Sequence, residues 1–316
     1  MRGKREFLKI FYHQGGGAVK VWKLYRHPPK VRGEKSDTTR KGIAIVRVLE
    51  YHKAIKQGGE GMDLQLDSSG VEGYHSGTQI ARVLTERWMK ENMYCPHCGN
   101  PHISQFENNR PVADFYCPAC RNEYELKSKN GNLGNKITDG AYETMIARIT
   151  GNQNPDFLFM SYAKADCRVW NLMLIPKHFF VPAVIERRKP LPPTAHRAGW
   201  VGCNILIGQI PQQGRISIVS NGCIADAAAV IRSVNASRRL ETGDLNCRGW
   251  LMDVLNCINR LPQVFTLEEM YRFEEMLQHH HPDNHNIRPK IRQQLQLLRD
   301  RGFVEFLGNG SYRRLA

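Results

Sequence analysis

RPVADFYCPACRNEYELK, residues 110–127, holds a Cys-x-x-Cys pair between two short segments that carry acidic residues and a lysine. Aromatic and apolar residues dominate PVADFYC and EYELKSK, which predicts two strands, and PACRNE between them is typical of a turn. We therefore predict a β-hairpin with the cysteines at its tip. This hairpin places Asp114 and Glu125 on neighbouring strands, and Lys127 lies on the same face as Glu125 because it is two residues away.

Two carboxylates and an ammonium group that converge on one spot suit phosphodiester cleavage. Carboxylate oxygens are the ligands of a hard cation such as Mg2+, which would polarise the phosphate and help to generate hydroxide. Lys127 would orient or deprotonate the attacking water, or neutralise developing charge. Acidic residues and lysines also alternate on ordinary exposed strands, so the spacing alone leaves a solvated surface as the alternative.

Four of the nine cysteines form two Cys-x-x-Cys pairs, and 18 residues separate the pairs. This spacing predicts a zinc site, because each tight turn directs two sulfurs at one ion and two turns complete a tetrahedron. Four sulfurs leave no open position, so the zinc would be structural and would contribute to folding. Unrelated buried cysteines and a redox-active pair are the alternatives. The predicted ligands are Cys95, Cys98, Cys117 and Cys120.

The composition indicates a globular protein with two domains. The chain has 316 residues, of which 41% are hydrophobic and 24% are charged, as in ordinary soluble proteins. No apolar run approaches the roughly 18 residues that span a bilayer, and FLKIFY is too short for a signal peptide. We expect a cytoplasmic protein with no membrane partner, where disulfides are disfavoured. The five unpaired cysteines are then expected to be small buried hydrophobic residues.

The positive charge is concentrated in residues 1–61, which we leave as an unassigned basic leader. They hold fifteen Lys and Arg against five Asp and Glu, a net of +10 out of +15 for the chain. The total charge therefore overstates the case for a polyanionic partner. One interpretation is a basic arm that tracks phosphates. We favour Met62 as the start of translation, because purine-rich codons like those of a ribosome-binding site can encode the preceding QGGEG.

Segments with clear periodicity predict an α/β domain over residues 62–244. GTQIARVLTERWMKEN (77–92) and DGAYETMIARI (139–149) have helical periodicity, whereas DFLFMSYA (156–163) and RVWNLMLIPK (168–177) read as buried strands. The predicted order of elements is helix, hairpin, helix and strands.

A proline-interrupted basic loop, RRKPLPPTAHRAGW, follows at residues 187–200. Its cations could grip phosphates, and its tryptophan could meet a base or a methyl group. The alternatives are a solvated loop and a core aromatic side chain. The candidate DNA-binding residues of this loop are Arg187, Arg188, Lys189, Arg197 and Trp200.

Residues 245–316 are predicted to form a winged helix. RGWLMDVLNCINRL is amphipathic, FTLEEMYRFEEML begins with a capping box at Thr266 and Glu269, and NIRPKIRQQLQLLRDRGF is a third helix. FVEFLGNGSYRRL then alternates as a hairpin. In this fold the third helix enters the major groove and the wing contacts the backbone, although some winged helices bind protein instead. The candidate DNA-binding residues are Asn286, Arg288, Lys290 and Arg292 on the helix, and Arg313 and Arg314 on the wing.

These motifs together resemble a known family. PVAD and ELK match the signature of PD-(D/E)xK nucleases, and YCPHCGN, FENNRPVADFYC, ELKSKNG and DGAY resemble the DpnI-type family of methyl-directed restriction endonucleases. The likeness continues through RKPLPPTAHRAGWVGCNI and FTLEEMYRFE, covers about Gln79 to Leu315 and does not extend into residues 1–61. The His279–His281 run departs from the family pattern and reads as a solvated helix end, with metal binding as the alternative.

The resemblance implies a mixed α/β PD-(D/E)xK nuclease core with a four-cysteine zinc knuckle, followed by a winged helix. Asp114, Glu125 and Lys127 would be catalytic, and the two carboxylates would hold Mg2+. The enzyme would be a bacterial type II endonuclease that cleaves double-stranded DNA at GATC sites carrying N6-methyladenine. We expect a monomer.

Two rival functions remain open from the sequence. One is a zinc-containing winged-helix transcription regulator without cleavage activity, and the other is a nuclease indifferent to methylation. A single contact to the methyl group supplies about 1–3 kcal/mol of discrimination, by analogy with other base contacts. We therefore hypothesise one methyl-reading surface in each domain.

Overall fold

The computed structural model describes residues 13–14, 17–18, 61–69, 71–107 and 113–315. Apart from two short strands and Gly61, the predicted basic leader lies outside the described residues. The chain divides into two units, Met1–Arg47 and Val48–Ala316. In the first, β1 (His13–Gln14) pairs antiparallel with β2 (Gly17–Ala18). All further elements belong to the second unit.

A seven-stranded mixed sheet forms the centre of the second unit. Its spatial order is β12-β11-β8-β7-β5-β4-β3; β5 and β7 run parallel, and the other neighbours are antiparallel. The strands are β3 (Ser104–Gln105), β4 (Phe115–Tyr116), β5 (Glu123–Asn130), β7 (Asp156–Ala163), β8 (Arg168–Ile175), β11 (Ile216–Ser220) and β12 (Cys223–Ile224).

A smaller antiparallel sheet of three strands carries the basic loop. Its order is β6-β10-β9, with β6 at Ile137–Ala141, β9 at Ile185–Arg187 and β10 at Gly202–Ile205. The loop connects β9 to β10. Three α-helices complete the domain: α1 (Gly77–Asn92), α2 (Tyr142–Thr150) and α3 (Ala227–Ser237). Short 3-10 turns lie at Lys177–Phe179, Pro182–Val184, Ile207–Gln209, Gln212–Gly214 and Arg238–Leu240.

Strand β7 shows why the middle of the central sheet is mostly apolar in sequence. All but the last of its residues are buried. Phe157 and Phe159 pack into one hydrophobic cluster, whereas Leu158 and Met160 pack into a second. Successive side chains point to opposite faces of a strand, so both faces of the sheet are covered at β7, which favours apolar residues at most of its positions.

The C-terminal region is a small helical domain with a β-wing. Its helices are α4 (Leu245–Asn259), α5 (Leu267–Tyr271), α6 (Glu274–His280) and α7 (Ile287–Asp300). Strands β13 (Val264–Thr266), β14 (Val304–Gly308) and β15 (Ser311–Arg314) form a sheet of order β13-β15-β14. The capping box predicted at Thr266 and Glu269 is present. The predicted second helix is interrupted after Tyr271 and forms α5 and α6. The predicted fold class is confirmed: a mixed α/β domain precedes a small helix-turn-helix-like domain.

The two domains share one hydrophobic core, and α4 connects them. The first cluster extends from Phe157 to Trp250 and Leu295. Arg248 on α4 is only 2% exposed, and it donates hydrogen bonds to the carbonyl oxygens of Phe180 (3.2 Å) and Thr242 (3.0 Å) and to Asn152 Oδ1 (3.2 Å). Burial of a charge is costly unless hydrogen bonds compensate it; these bonds engage both terminal nitrogens of Arg248, although its Nε has no partner among the described residues, and they hold α4 against the α/β domain.

The expectation that the five unpaired cysteines are buried has a mixed outcome. Cys203 and Cys257 are buried as expected, but Cys223 is exposed and Cys167 and Cys247 are half-buried. The expectation is therefore wrong for Cys223, which lies on the edge strand β12. Within the described ranges, no helix combines the length and apolar character needed to cross a membrane.

His178 gives a test of the buried core through its protonation. The side chain lies in the first 3-10 turn and is 5% exposed. Burial lowers its pKa from 6.5 to about 4, so as the pH falls from 6.5 to 4 the unfolded chain binds a proton that the folded chain does not. This linkage should lower the free energy of unfolding by about 3 kcal/mol across that window.

The measurement is chemical denaturation of the wild type and of His178→Gln at a series of pH values. We expect the glutamine variant to lose less stability on acidification. His196→Gln in the exposed basic loop is the matched control and should keep the wild-type slope. Equal slopes for wild type and His178→Gln would contradict the prediction.

Candidate active site

The predicted hairpin is present and aligns the two predicted carboxylates. Strands β4 and β5 are antiparallel, with Phe115 opposite Tyr124. The Asp114 amide donates to the Tyr124 carbonyl at 2.9 Å. In return, Asp114 Oδ2 accepts a 2.8 Å hydrogen bond from the Leu126 amide. This exchange fixes the Asp114 carboxylate beside β5.

Glu125 and Lys127 contact each other beside Asp114. Lys127 Nζ lies 2.6 Å from Glu125 Oε1, and it also forms an ion pair with Asp139 Oδ1. The second oxygen of Glu125 lies 3.4 Å from Arg148 Nη1. The structure therefore brings Glu125 and Lys127 into one partly enclosed cluster, with Asp114 hydrogen-bonded to the residue between them.

The charges of the cluster influence one another. The pKa of Glu125 is raised, first by burial and then by repulsion from the carboxylates of Asp139 and Asp114, although Lys127 opposes the shift. Burial alone would lower the pKa of Lys127, but the carboxylates of Glu125 and Asp139 together raise it. The site is therefore rich in negative charge and holds one ammonium group by direct contact, an arrangement that favours a cationic ligand near the carboxylates.

Asp139 is a residue of this site that the sequence analysis missed. DGAYETMIARI was predicted to be helical from its first residue, but Asp139 to Ala141 belong to β6 and the helix begins at Tyr142. The strand forms because β6 pairs with β10, where Asp139 lies opposite Cys203. The signal that could have revealed Asp139 is an acidic residue within the DGAY motif that the family resemblance included.

The four predicted cysteine ligands converge at the hairpin tip. Their sulfur atoms all lie within 4.8 Å of one another, and the Cys95–Cys120 and Cys98–Cys117 sulfur distances are both 3.6 Å. A Zn–S bond of about 2.3 Å puts the sulfurs of a tetrahedral site about 3.8 Å apart, so the geometry fits zinc. The hydrogen bond from Cys95 lowers the pKa of Cys120 to about 5, which supplies a thiolate for a cation.

Asp156 connects the cysteine cluster to the central sheet. This buried carboxylate begins β7. One oxygen lies 2.5 Å from His97 Nε2 and accepts a 2.7 Å hydrogen bond from Asn122 Nδ2, and the other accepts one from the Lys177 amide at 2.7 Å. His97 and Asn122 belong to the two different knuckles. Both turns are therefore anchored to one strand.

The basic loop presents its cations to solvent. The predicted residues Arg187, Arg188 and Lys189, with Arg197, are exposed. Arg197 stacks 5.1 Å over the ring of Trp200, which is half-buried. A Cβ at Gly202 would lie 2.9 Å from that ring, so only glycine lets Trp200 lie against the strand. Arg187 lies 5.7 Å over the ring of Tyr142.

The candidate DNA-binding residues at helix α7 fall into two groups. Arg288 pairs with Glu274 at 2.7 Å and Arg292 Nη1 donates to the Tyr271 hydroxyl at 2.6 Å, and both side chains are exposed. Lys290 is half-buried and lies 5.8 Å over the ring of Trp250. Asn286, the N-cap residue, is exposed. Of the helix candidates, Lys290 is thus the one turned toward its own domain.

The two wing arginines also differ. Arg313 is exposed and pairs with Glu305 across the hairpin at 2.9 Å. Arg314 lies 3.5 Å from the carbonyl oxygens of Ile258 and Asn259, at the C-terminal end of α4. A cation at a helix C-terminus is a stabilising arrangement, so Arg314 has an intramolecular role.

The histidine run at the end of α6 contacts Asp253 and Trp250. His281 Nε2 lies 2.9 Å and His280 Nδ1 lies 3.3 Å from the Asp253 carboxylate, and the His281 ring stacks on Trp250 at 3.8 Å. Among the described residues, the four cysteines are the one group of three or more cysteine, histidine or acidic side chains arranged to hold a metal ion.

Two family models match the chain. Residues 62–243 match the model described as DpnI: Dam-replacing family. Residues 246–314 match the model described as DpnI_C: Dam-replacing HTH domain. The first match starts at Met62 and spans the hairpin, the cysteine cluster and the basic loop, and the second spans the four C-terminal helices and the wing.

Proposed function

Because the chain belongs to the DpnI Dam-replacing family and carries that family's DNA-binding helix-turn-helix domain, we propose that it is a methyl-directed restriction endonuclease. It hydrolyses phosphodiester bonds of double-stranded DNA at GATC sites whose adenine is N6-methylated. Residues 62–244 form the nuclease domain in this proposal, and residues 245–316 form the winged helix.

The observation that carries the proposal is the contact between Glu125 and Lys127 beside an anchored Asp114. The Leu126 amide holds Asp114 Oδ2, so both carboxylates belong to one rigid hairpin. Pre-organised charged groups lower an activation barrier because they need no rearrangement during the reaction. Asp114, Glu125 and Lys127 are the proposed catalytic residues.

The residues present fit a divalent cation such as Mg2+. Asp114 Oδ1 and the Glu125 carboxylate are hard oxygen donors in a site whose negative charge exceeds its positive charge locally. When bound, the cation supplies Lewis-acid polarisation of the scissile phosphate. Lys127 Nζ, held between two carboxylates, places a positive charge where the phosphate oxygens develop negative charge. Arg148 holds the second oxygen of Glu125 and orients that carboxylate.

The cysteine cluster is proposed to hold a structural zinc ion that keeps the hairpin in register. The hairpin tip rests on the Asp156 anchor described above. Closing two Cys-x-x-Cys turns around one ion fixes the separation of the knuckles, and β4 and β5 emerge from that fixed end.

DNA recognition is assigned to two surfaces. On the winged helix, Asn286, Arg288 and Arg292 lie exposed on the first turns of α7, where bases of the major groove are read. On the nuclease domain, the basic loop contributes Arg187, Arg188, Lys189, Arg197 and Trp200. The adenine N6 position faces the major groove, so either surface can test for a methyl group. Two readers at about 1–3 kcal/mol each would multiply the selectivity.

A plasmid digest tests the proposal. Plasmid from a host that methylates adenine in GATC should be cut in the presence of Mg2+ to a fixed set of fragments. The same plasmid from a host lacking that methylation should stay intact, and so should the methylated plasmid without a divalent ion.

The outcomes separate the rival functions. Equal cutting of both plasmids would favour a nuclease indifferent to methylation. Binding of methylated DNA without cutting under any divalent ion would favour the zinc-containing winged-helix regulator. Fragments with ends outside GATC would refute the proposed site.

A further inference from the structure

We infer that Asp139 is a positioning residue for Lys127, and this inference rests on the proposed nuclease function. It holds the Lys127 ammonium group in place for the reaction, and it acts through Lys127 rather than on the DNA or the cation directly.

The geometry places Asp139 in contact with Lys127 from a different sheet. Lys127 lies on β5 of the seven-stranded sheet, whereas Asp139 lies on β6 of the three-stranded sheet. The Asp139 side chain is 4% exposed, and its Oδ1 forms the ion pair with Lys127 Nζ. Lys127 is thus a bridge between the sheet that carries the carboxylates and the sheet that carries the basic loop.

Asp139 is needed because Glu125 has a competing task. Glu125 contacts both Lys127 and Arg148, and in the proposed reaction the same carboxylate must also serve the cation. A divalent ion beside Glu125 weakens its attraction for Lys127 and repels the ammonium group. The side chain of lysine is a flexible four-carbon stem. The ammonium group of Lys127 must therefore be held in place if it is to act on the phosphate. Asp139 retains Lys127 through an ion pair that does not depend on Glu125.

The backbone around Asp139 supports a fixed position for its carboxylate. Cys203 lies opposite Asp139 in the pairing of β6 with β10, and Cys203 is completely buried. Burial raises the pKa of the Cys203 thiol to about 12, with Asp139 as the next cause, so Cys203 is a neutral neighbour. Within the described part of the chain, the ion pair of Asp139 is with Lys127.

The test compares Asp139→Asn and Asp139→Ala with the wild type. Single-turnover cleavage of a methylated GATC duplex is measured with saturating protein and Mg2+, and the Kd for the same duplex is measured in Ca2+ without cleavage. We expect Asp139→Ala to cleave about 100-fold more slowly, since misplacement of a catalytic group by about 1 Å has that effect. Asp139→Asn should be intermediate, because its amide oxygen still accepts from the ammonium group. The Kd should change less than about 2-fold for both.

Glu186→Gln is the matched control. Glu186 lies on β9 of the same small sheet and pairs with Lys136 at 2.7 Å, outside the proposed machinery. This variant should cleave at the wild-type rate.

A double-mutant cycle distinguishes positioning from direct participation. If Asp139 acts through Lys127, then Asp139→Ala should cost nothing further in a Lys127→Ala background, so the pair is strongly non-additive. A full additional 100-fold loss would show that Asp139 acts independently, and a wild-type rate for Asp139→Ala would overturn the inference as well.

Two failures remain distinguishable. If the wild type does not cleave methylated DNA, the proposed function fails. If the wild type cleaves methylated DNA and both Asp139→Ala and Asp139→Asn cleave it at the wild-type rate, only this inference fails. Thermal unfolding of each variant shows whether it folds. If Asp139→Ala does not fold, the nearly isosteric Asp139→Asn tests the inference in its place. Cleavage by Asp139→Asn at the wild-type rate would then contradict the inference.

Discussion

Asp114→Asn is expected to reduce the cleavage rate of methylated GATC DNA by about 1000-fold or more while leaving DNA binding unchanged. The amide oxygen can still accept the 2.8 Å hydrogen bond from the Leu126 amide, so the hairpin keeps its register. The group facing the site becomes a neutral amide, which is a far weaker ligand for a hard cation than a carboxylate. A 1000-fold loss corresponds to about 4 kcal/mol of transition-state stabilisation.

The measurement is single-turnover cleavage across a range of Mg2+ concentrations, with binding measured separately in Ca2+. Glu143→Gln is the matched control, because Glu143 is an exposed carboxylate in the first turn of α2 and should be dispensable. Glu125→Gln should behave like Asp114→Asn. Cleavage by Asp114→Asn at more than a tenth of the wild-type rate would refute a catalytic role for Asp114.

The parts of the fold that sequence predicts well are those set by local pattern. GTQIARVLTERWMKEN predicts a helix over residues 77–92, and α1 has these bounds. DFLFMSYA predicts the buried strand that β7 forms. The hairpin and the cysteine cluster follow from the same local logic, since a turn-rich segment between two apolar ones closes on itself.

Asp139 escaped prediction because its strand depends on a distant partner. Tyr142 to Thr150 are helical, and the helical pattern of that segment conceals the five-residue strand before it. The strand forms against β10, more than 60 residues later in the chain. No local period reports such a pairing, so periodicity alone could not place a third acidic side chain at the site.

The periods of the helix and the strand explain why the candidate DNA-binding residues Lys290 and Arg314 are only half-exposed. Successive residues of an α-helix are separated by about 100°, so Arg288 and Arg292 share a face that Lys290 does not. Lys290 accordingly packs over Trp250. Neighbouring residues of a strand point to opposite faces, so Arg313 and Arg314 lie on opposite faces of the wing.

Loss of the cysteine cluster is the second change expected to have a large effect. Cys117→Ser should abolish stoichiometric zinc binding and lower the melting temperature by about 10 °C or more. Zinc bound to four thiolates contributes its binding energy to folding, and several kcal/mol correspond to a shift of this size in a domain of about 150–250 residues. Cys223→Ser is the matched control, since Cys223 is exposed and lies outside the cluster. Metal analysis and thermal unfolding provide the two readouts.

Removal of the zinc should also slow DNA cleavage strongly, even though the proposed catalytic side chains are unchanged. Tyr124 connects the two sites: its hydroxyl lies 3.1 Å from Cys95 Sγ, and its carbonyl accepts the Asp114 amide. Release of the cluster frees the strand to which Asp114 is anchored. Zinc-stripped protein assayed in excess Mg2+ should therefore cleave at least about 100-fold more slowly, and added Zn2+ should restore cleavage. Full activity of stripped protein, or of Cys117→Ser, would show that the hairpin holds its register without the metal.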